Sequence, residues 1–124
     1  MMHREHFEAI SFHHWWTITA ESVFGVDPRC LIAIPNGGHR HIGTARKLKA
    51  EGVVPGAPDY FLFVARQGYH GLAIELKAPV KTARLSDAQK AMKSILEGQG
   101  YVFRVCYGWD EARIAIEGYL GVKR

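Results

Sequence analysis

The chain has 124 residues, 48% hydrophobic and 23% charged, so we expect one globular domain with a real core and no room for a second. No apolar run reaches the roughly 20 residues of a membrane helix, and the first residues lack the apolar core of a signal peptide, so we expect a cytoplasmic protein with no membrane contact. The formal net charge of +4, with seven histidines in reserve, fits a polyanionic partner.

A helix is predicted from about Arg4 to Ala20. The residues predicted to form its core-facing row, at helical spacing, are Phe7, Ile10, His14, Trp15 and Ile18. Glu5 lies on a neighbouring apolar row, where its carboxylate either favours the positive end of the helix or reaches inward to a metal ion. Glu8 is the alternative for that second role. His6 lies about two turns, roughly 11 Å, from His13 and His14, so these histidines do not share one zinc ion.

A buried strand is predicted at 30–34, ending at Pro35. The loop Asn36-Gly37-Gly38 follows. Its residues either supply the positive φ angles of a turn or allow the backbone to approach a phosphate closely, and the basic run His39-Arg40-His41 follows it. We expect a thiol in this strand, Cys30, and one in a later strand, Cys106, to be buried and unpaired.

A short helix is predicted at 44–51, ending at Gly52. Arg46 and Lys47 lie on it with Lys49. Such charges usually form a solvated face. Because this helix leads directly into Pro58 and Asp59, they also suit a phosphate-binding rim beside a site.

A β-hairpin is predicted from two apolar runs, 60–65 and 71–76, with the bend centred near Gly68 and Tyr69. Antiparallel pairing then sets Asp59 beside Glu75 and Lys77, and residues 75 and 77 point to the same face of their strand. Each of the three alone suits an ordinary sheet margin. Together, two carboxylates and an ammonium suit a hard divalent cation and an attacking water.

A basic loop carrying Lys81 and Arg84 leads to a second long helix, predicted to end near residue 97. Ser86 and Gln89 form a capping box at its start, which explains Gln89 by a local role. Gln89 also lies on the row that faces inward, so a site role stays open. A last strand at 101–107 and a helix at 109–120 complete a predicted α/β domain with a mixed central sheet covered by helices.

The sequence resembles the VRR-NUC family of the PD-(D/E)XK nuclease superfamily, and in particular its small stand-alone bacterial and phage members. The pattern Pro58-Asp59, followed sixteen residues later by Glu75-Leu76-Lys77, is the superfamily signature. The blocks that match the family in order are Asn36-Gly37-Gly38, the run 52–59, the run 74–78, and Leu85-Ser86-Asp87-Ala88-Gln89.

This resemblance implies a restriction-endonuclease-like fold, a mixed central β-sheet flanked by helices, and a DNA endonuclease that uses Mg²⁺ or Mn²⁺. It implies that Asp59, Glu75 and the carbonyl of Leu76 are metal ligands, with Glu5 as a further one. Lys77 would then position or activate the water, with Gln89 as auxiliary.

The resemblance also implies a homodimer that cuts branched DNA such as a four-way (Holliday) junction, in a bacterial or phage-infected cell. Trp15 and Trp16 are candidates for its interface, although core packing explains at least one of them. The residues expected to contact DNA are Asn36, Arg40, Arg46, Lys47, Lys81 and Arg84. The alternative is a catalytically inactive DNA-binding or assembly module on the same fold.

Overall fold

A computed structural model of the chain describes residues 2–35, 42–80 and 82–121. The helices are α1 (Met2–Thr19), α2 (Ile42–Ala50), α3 (Asp87–Gly98) and α4 (Trp109–Leu120). The strands are β1 (Leu31–Ala33), β2 (Tyr60–Leu62), β3 (Leu72–Lys77) and β4 (Val102–Tyr107), and a 3₁₀ turn, Pro28–Cys30, precedes β1. The elements follow one another in the predicted order. Within the described residues, none of the helices combines the length and the apolar character needed to cross a bilayer.

The four strands form one mixed sheet in the order β1-β2-β3-β4. The pairs β1–β2 and β2–β3 are antiparallel, and β4 runs parallel to β3. A parallel neighbour requires a crossover connection, which α3 supplies. Helices α1 and α4 pack on one face and α3 packs against β4, so the predicted α/β architecture is confirmed.

The hairpin between β2 and β3 turns at Gln67 and Gly68, one residue earlier than predicted. Both have positive φ, 53° and 83°, and Arg66 pairs with Tyr69 around them. Two residues with positive φ give the turn a twist that suits paired strands. The resulting register pairs Tyr60 with Ile74. The residue before Tyr60, Asp59, therefore comes opposite Glu75.

The predicted core-facing row of α1 is wrong. Phe7, Ile10 and Ile18 are 66%, 52% and 61% exposed, whereas Phe12 and Trp16 are fully buried. Both rows are apolar at helical spacing, so periodicity alone does not separate them. Tertiary contacts decide: the Phe12 ring meets the Tyr60 ring edge-on at 5.0 Å, and the Trp16 indole donates a hydrogen bond to the Pro28 carbonyl at 2.9 Å.

The tryptophan pair belongs to the core of one chain. Trp16 is fully buried, and Trp15 is partly buried and packs against Phe24 with ring centroids 5.8 Å apart. Core packing therefore explains Trp16, and a place for Trp15 in a subunit interface stays a prediction. Both cysteines are free as predicted, although Cys30 is only partly buried. Burial raises the pKa of the Cys106 thiol to about 12, so this group stays protonated and unreactive.

Candidate active site

The structure brings Asp59, Glu75 and Lys77 together at one corner of the sheet. Asp59 lies directly before β2, and its Oδ2 accepts a hydrogen bond of 2.7 Å from the Leu76 amide. Glu75 and Lys77 are two residues apart near the end of β3, so their side chains share a face. The Lys77 Nζ lies 3.8 Å from Glu75 Oε2, and the two side chains are only 15% and 5% exposed. These charged groups are therefore largely withdrawn from water.

Gln89 ties this corner to the first turn of α3. Its Nε2 donates to Glu75 Oε2 at 2.8 Å, and its Oε1 accepts from Lys77 Nζ at 3.1 Å. The same Oε1 accepts from the Ser86 backbone amide at 2.8 Å, which completes the capping box. Gln89 thus caps the helix and also contacts the two charged side chains, while its role in catalysis stays a prediction.

The surroundings of Asp59 and Glu75 disfavour the ionised form of both carboxyl groups. Burial raises the pKa of Asp59 above its ordinary value, and hydrogen bonds from its surroundings oppose that shift. Burial, and then the charge of neighbouring Asp59, raise the pKa of Glu75 to about 8, against the opposing effect of Lys77. Two buried carboxyl groups in contact do not both ionise easily without further positive charge. A cation at this corner would relieve that cost.

The residues fit a divalent metal ion. Glu75 Oε1 is buried and has no hydrogen-bond partner in the described part of the chain, although such an atom costs stability when it stays unpaired. Mg²⁺ takes one or two carboxylates and keeps its other positions for water and phosphate oxygens. In residues 2–35, 42–80 and 82–121, no three His, Cys, Asp or Glu side chains form a metal-binding group. Asp59 and Glu75 are therefore the best candidates for carboxylate ligands of the ion.

The two acidic residues of α1 have different surroundings. Glu5 lines an open cleft of ≈ 550 Å³ with Asp59 and Leu76. After burial and Asp59, the charge of Glu5 also contributes to the raised pKa of Glu75. Glu8 instead accepts a hydrogen bond of 2.7 Å from the Trp109 amide, at the start of α4. Glu5 therefore faces the candidate site, and Glu8 caps a helix.

Little in the sequence indicates the role of Glu8. The residue before α4 is Gly108, which has no side chain to cap the helix. A capping residue is usually sought among the immediate neighbours of the first turn, whereas Glu8 comes from α1, 101 residues away. This contact fixes α1 against α4 just beyond Glu5.

Gly56 is a second positioning residue whose partner the sequence did not reveal. Its φ is +85°, and a Cβ there would collide with the Ala88 carbonyl and lie 2.9 Å from the Gln89 amide nitrogen. Gly56 thus lets the loop before Asp59 touch the first turn of α3, beside Gln89. It also lines a cleft with residues of α2, including Leu48, so α2 lies next to this loop.

Three of the residues expected to contact DNA lie in the described structure. Arg46 and Lys47 are exposed on α2, and Arg84 is exposed in the loop before α3. The other three, Asn36, Arg40 and Lys81, lie outside the described residues.

Comparisons with known proteins agree with the resemblance seen in the motifs. The family model described as "VRR-NUC domain" matches residues 30–110. A solved structure described as "VRR_NUC domain protein" aligns with a TM-score of 0.79 and 26% identity, covering 96% of this chain and 89% of that one. A search of curated proteins gave no match.

The matched range spans more than half of the chain and contains Asp59, Glu75, Lys77 and Gln89, whereas Glu5 lies before it. The structural alignment covers nearly the whole chain, and it shares the mixed sheet flanked by helices. The chain therefore belongs to the VRR-NUC family and is a nuclease-type, DNA-processing domain with a PD-(D/E)XK-like fold.

Proposed function

We propose that the protein is an endonuclease that hydrolyses DNA phosphodiester bonds with Mg²⁺ or Mn²⁺. One observation carries this proposal: the buried carboxyl group of Glu75 and the partly buried one of Asp59 lie together beside the ammonium group of Lys77, and one oxygen of Glu75 has no partner among the described residues. Placing these charged groups together away from water costs free energy, and one carboxylate oxygen is left without a partner in the described residues. Such an arrangement indicates binding or catalysis rather than packing.

In this proposal Asp59 and Glu75 hold the ion, with the carbonyl of Leu76 as a further ligand and Glu5 acting through water from across the cleft. The bound ion would supply Lewis-acid stabilisation of the phosphate charge and a more acidic water. Lys77 orients or deprotonates the attacking water. Gln89 holds the side chains of Glu75 and Lys77 in place, because it bonds both.

The protein would bind DNA through the phosphate groups of its backbone. The residues proposed for this contact are Asn36, Arg40, Arg46, Lys47, Lys81 and Arg84. A domain of 124 residues offers limited surface to one substrate, so we infer a homodimer, whose two-fold symmetry matches a branched substrate such as a four-way junction. These finer features rest on the resemblance and on the net charge of +4.

The test is a cleavage assay with linear, flapped and four-way DNAs, with Mg²⁺ or Mn²⁺, and again with EDTA. Asp59→Asn and Lys77→Met should each lower cleavage by about 100-fold or more, while binding to DNA stays within a few-fold. The matched controls are Asp110→Asn and Lys90→Met, which change the same residue types at exposed positions. They should cut like the wild type.

EDTA should stop cleavage without unfolding the protein, because the proposed ion is catalytic and the fold has an apolar core of its own. Unchanged cutting by Asp59→Asn or Lys77→Met would refute the site. A wild type that binds branched DNA tightly and cuts none of the panel with either metal would identify the chain as an inactive binding or assembly module.

A further inference from the structure

A second cleft, along the flank of α1, begins beside the candidate active site. The cleft that contains Glu5 and Asp59 is also lined by His6, Ala9 and Tyr60. The same three residues line the second cleft, an open one of ≈ 420 Å³. Because the two clefts share these residues, they form one continuous surface that leads away from Asp59. We call the second cleft the histidine groove.

Helical spacing and one aromatic contact build the histidine groove. His6, Ala9 and His13 occupy positions i, i+3 and i+7 of α1, so they share one flank of the helix. Phe12 is fully buried on the core side of the same helix. Its ring meets the Tyr60 ring edge-on at 5.0 Å, which holds α1 against β2 at this place. The histidines therefore lie along a concave surface.

The side chains of the groove suit an anion. His6, His13 and His14 line it and are exposed, and the imidazole N–H is a hydrogen-bond donor. Within the described part of the chain, none of the residues that line the groove is acidic. The carboxylates of Glu5 and Asp59 lie only in the adjoining cleft. An anionic chain would thus find donors and no opposing carboxylate along the groove.

The length of the groove suits a short piece of a DNA strand. His6 and His14 are eight residues apart, which is about 12 Å along the helix axis. A stacked DNA strand carries one phosphate per roughly 3.4 Å of its axis, so about three to four phosphates span this distance. Hydrogen bonds to phosphates fix the position of a nucleic acid without reading its sequence. The groove therefore matches the backbone of a strand that continues from the candidate site.

We propose that the histidine groove binds the phosphate backbone of the DNA strand that leaves the candidate active site. His6 would contact the strand nearest the bond to be cut, and His13 and His14 would contact it further along. The inference rests on the proposed function, because that function supplies the DNA. It adds the flank of α1 to the DNA-binding surface, which the six residues expected from the sequence do not include.

The first experiment measures DNA binding by fluorescence anisotropy in EDTA, where the proposed reaction cannot proceed. His13→Glu places a carboxylate in the groove and should weaken binding by about 10-fold or more, because it repels the phosphates. The double variant His13→Ala/His14→Ala should weaken binding by about 5-fold through loss of two hydrogen bonds. Circular dichroism should show folded variants, since both side chains are exposed.

Ile18→Glu is the matched control, because it adds the same charge to α1 outside the groove, at a position that is 61% exposed. It should bind DNA within about 2-fold of the wild type. Cleavage gives a second readout. His13→Glu should raise KM for DNA by about 10-fold and leave kcat within about 2-fold, because the groove contacts the strand away from the reacting bond.

Methylphosphonate substitution of single phosphates locates the contact. A substitution at a phosphate in the groove should weaken binding to the wild type by about 5-fold and leave binding to His13→Glu unchanged, because the variant has already lost that contact. Failure of every substituted position to show this difference would overturn the proposal. Wild-type affinity of His13→Glu, or an equal loss of affinity in Ile18→Glu, would do the same.

The two proposals fail in different ways. A wild type that cuts DNA while His13→Glu keeps its affinity and its KM would refute the groove alone and leave the histidines as solvated side chains. A wild type that cuts no DNA, but whose binding is weakened by His13→Glu and spared by Ile18→Glu, would refute the nuclease function and support the groove.

Discussion

Replacing Glu75 by glutamine should remove a pH-dependent cost from the folded protein. Glutamine has nearly the same shape, and its side-chain oxygen can still accept from the Gln89 amide, as Glu75 Oε2 does at 2.8 Å. It has no proton to lose. The variant therefore separates the charge of this side chain from its packing.

The structure sets the size and direction of the effect. Burial, and then the charge of Asp59, raise the pKa of Glu75 from 4.5 to about 8. The folded protein thus holds this proton more tightly than the unfolded chain does, so the associated stability is fully present below pH 4.5 and is lost as the pH rises through about 8. Each pH unit in that interval is worth about 1.4 kcal/mol. The free energy of unfolding should fall by at most about 5 kcal/mol over the whole interval.

The assay is urea unfolding in EDTA at several pH values from acid to alkaline. The free energy of unfolding of the wild type should fall relative to that of Glu75→Gln as the pH rises, and the variant should be the more stable protein above pH 8. Glu97→Gln is the control, because it removes an exposed carboxylate paired with Lys93 and leaves Glu75 intact. It should keep the wild-type pH dependence.

Metal ions provide the second arm of this experiment. At alkaline pH, Mg²⁺ or Mn²⁺ at about 100 times its dissociation constant should stabilise the wild type by about 3 kcal/mol, because the cation replaces the proton on the carboxylate pair. Glu75→Gln should gain much less. If the wild type and Glu75→Gln respond in parallel to pH, the reasoning on the buried carboxylate fails.

Three further predictions concern other parts of the molecule. Glu8→Ala should lower the free energy of unfolding by about 1 kcal/mol through loss of the α4 cap and leave cleavage per folded molecule unchanged. Glu5→Gln should instead lower cleavage and leave the free energy of unfolding unchanged. The reverse pattern in unfolding and cleavage assays would exchange the roles of the two residues. Gly56→Ala should cost about 2 kcal/mol or more, because its φ of +85° and the adjacent Ala88 carbonyl leave no place for a Cβ; an unfolding curve like that of the wild type would contradict this close approach. Arg46→Ala should weaken binding to unrelated DNA sequences equally and lower the slope of binding against salt by about 1, and an unaltered slope would remove Arg46 from the DNA contact.

Local sequence patterns predicted much of the fold. The glycine-containing bend between two apolar runs predicted the hairpin, and its pairing followed because the alternation of strand side chains allows few registers. The sequence spacing of Asp59, Glu75 and Lys77 then sufficed to place them at one corner. The capping box likewise predicted the start of α3, because Ser86 and Gln89 act within a single helical turn.

Hydrophobic periodicity did not predict the buried face of α1, because two adjacent rows of its residues are both apolar. The choice between them depends on partners distant in the chain, such as Tyr60 for Phe12 and Pro28 for Trp16. The sequence also could not separate Glu5 from Glu8, since both lie near the start of the same helix. Only the position of α4 separates them, because the backbone amide of Trp109, the first residue of α4, donates a hydrogen bond to Glu8.

The sequence by itself determined the order of the elements, the family and the residues that form the charged corner, because each follows from spacing within a strand, turn or helix. Only the tertiary structure decided that Gln89 bonds both Glu75 and Lys77, and that one oxygen of Glu75 is buried without a partner in the described residues. The physical reason is that burial and desolvation depend on what packs against a group in three dimensions. A linear pattern specifies which side of a strand a residue occupies, but not what covers that side.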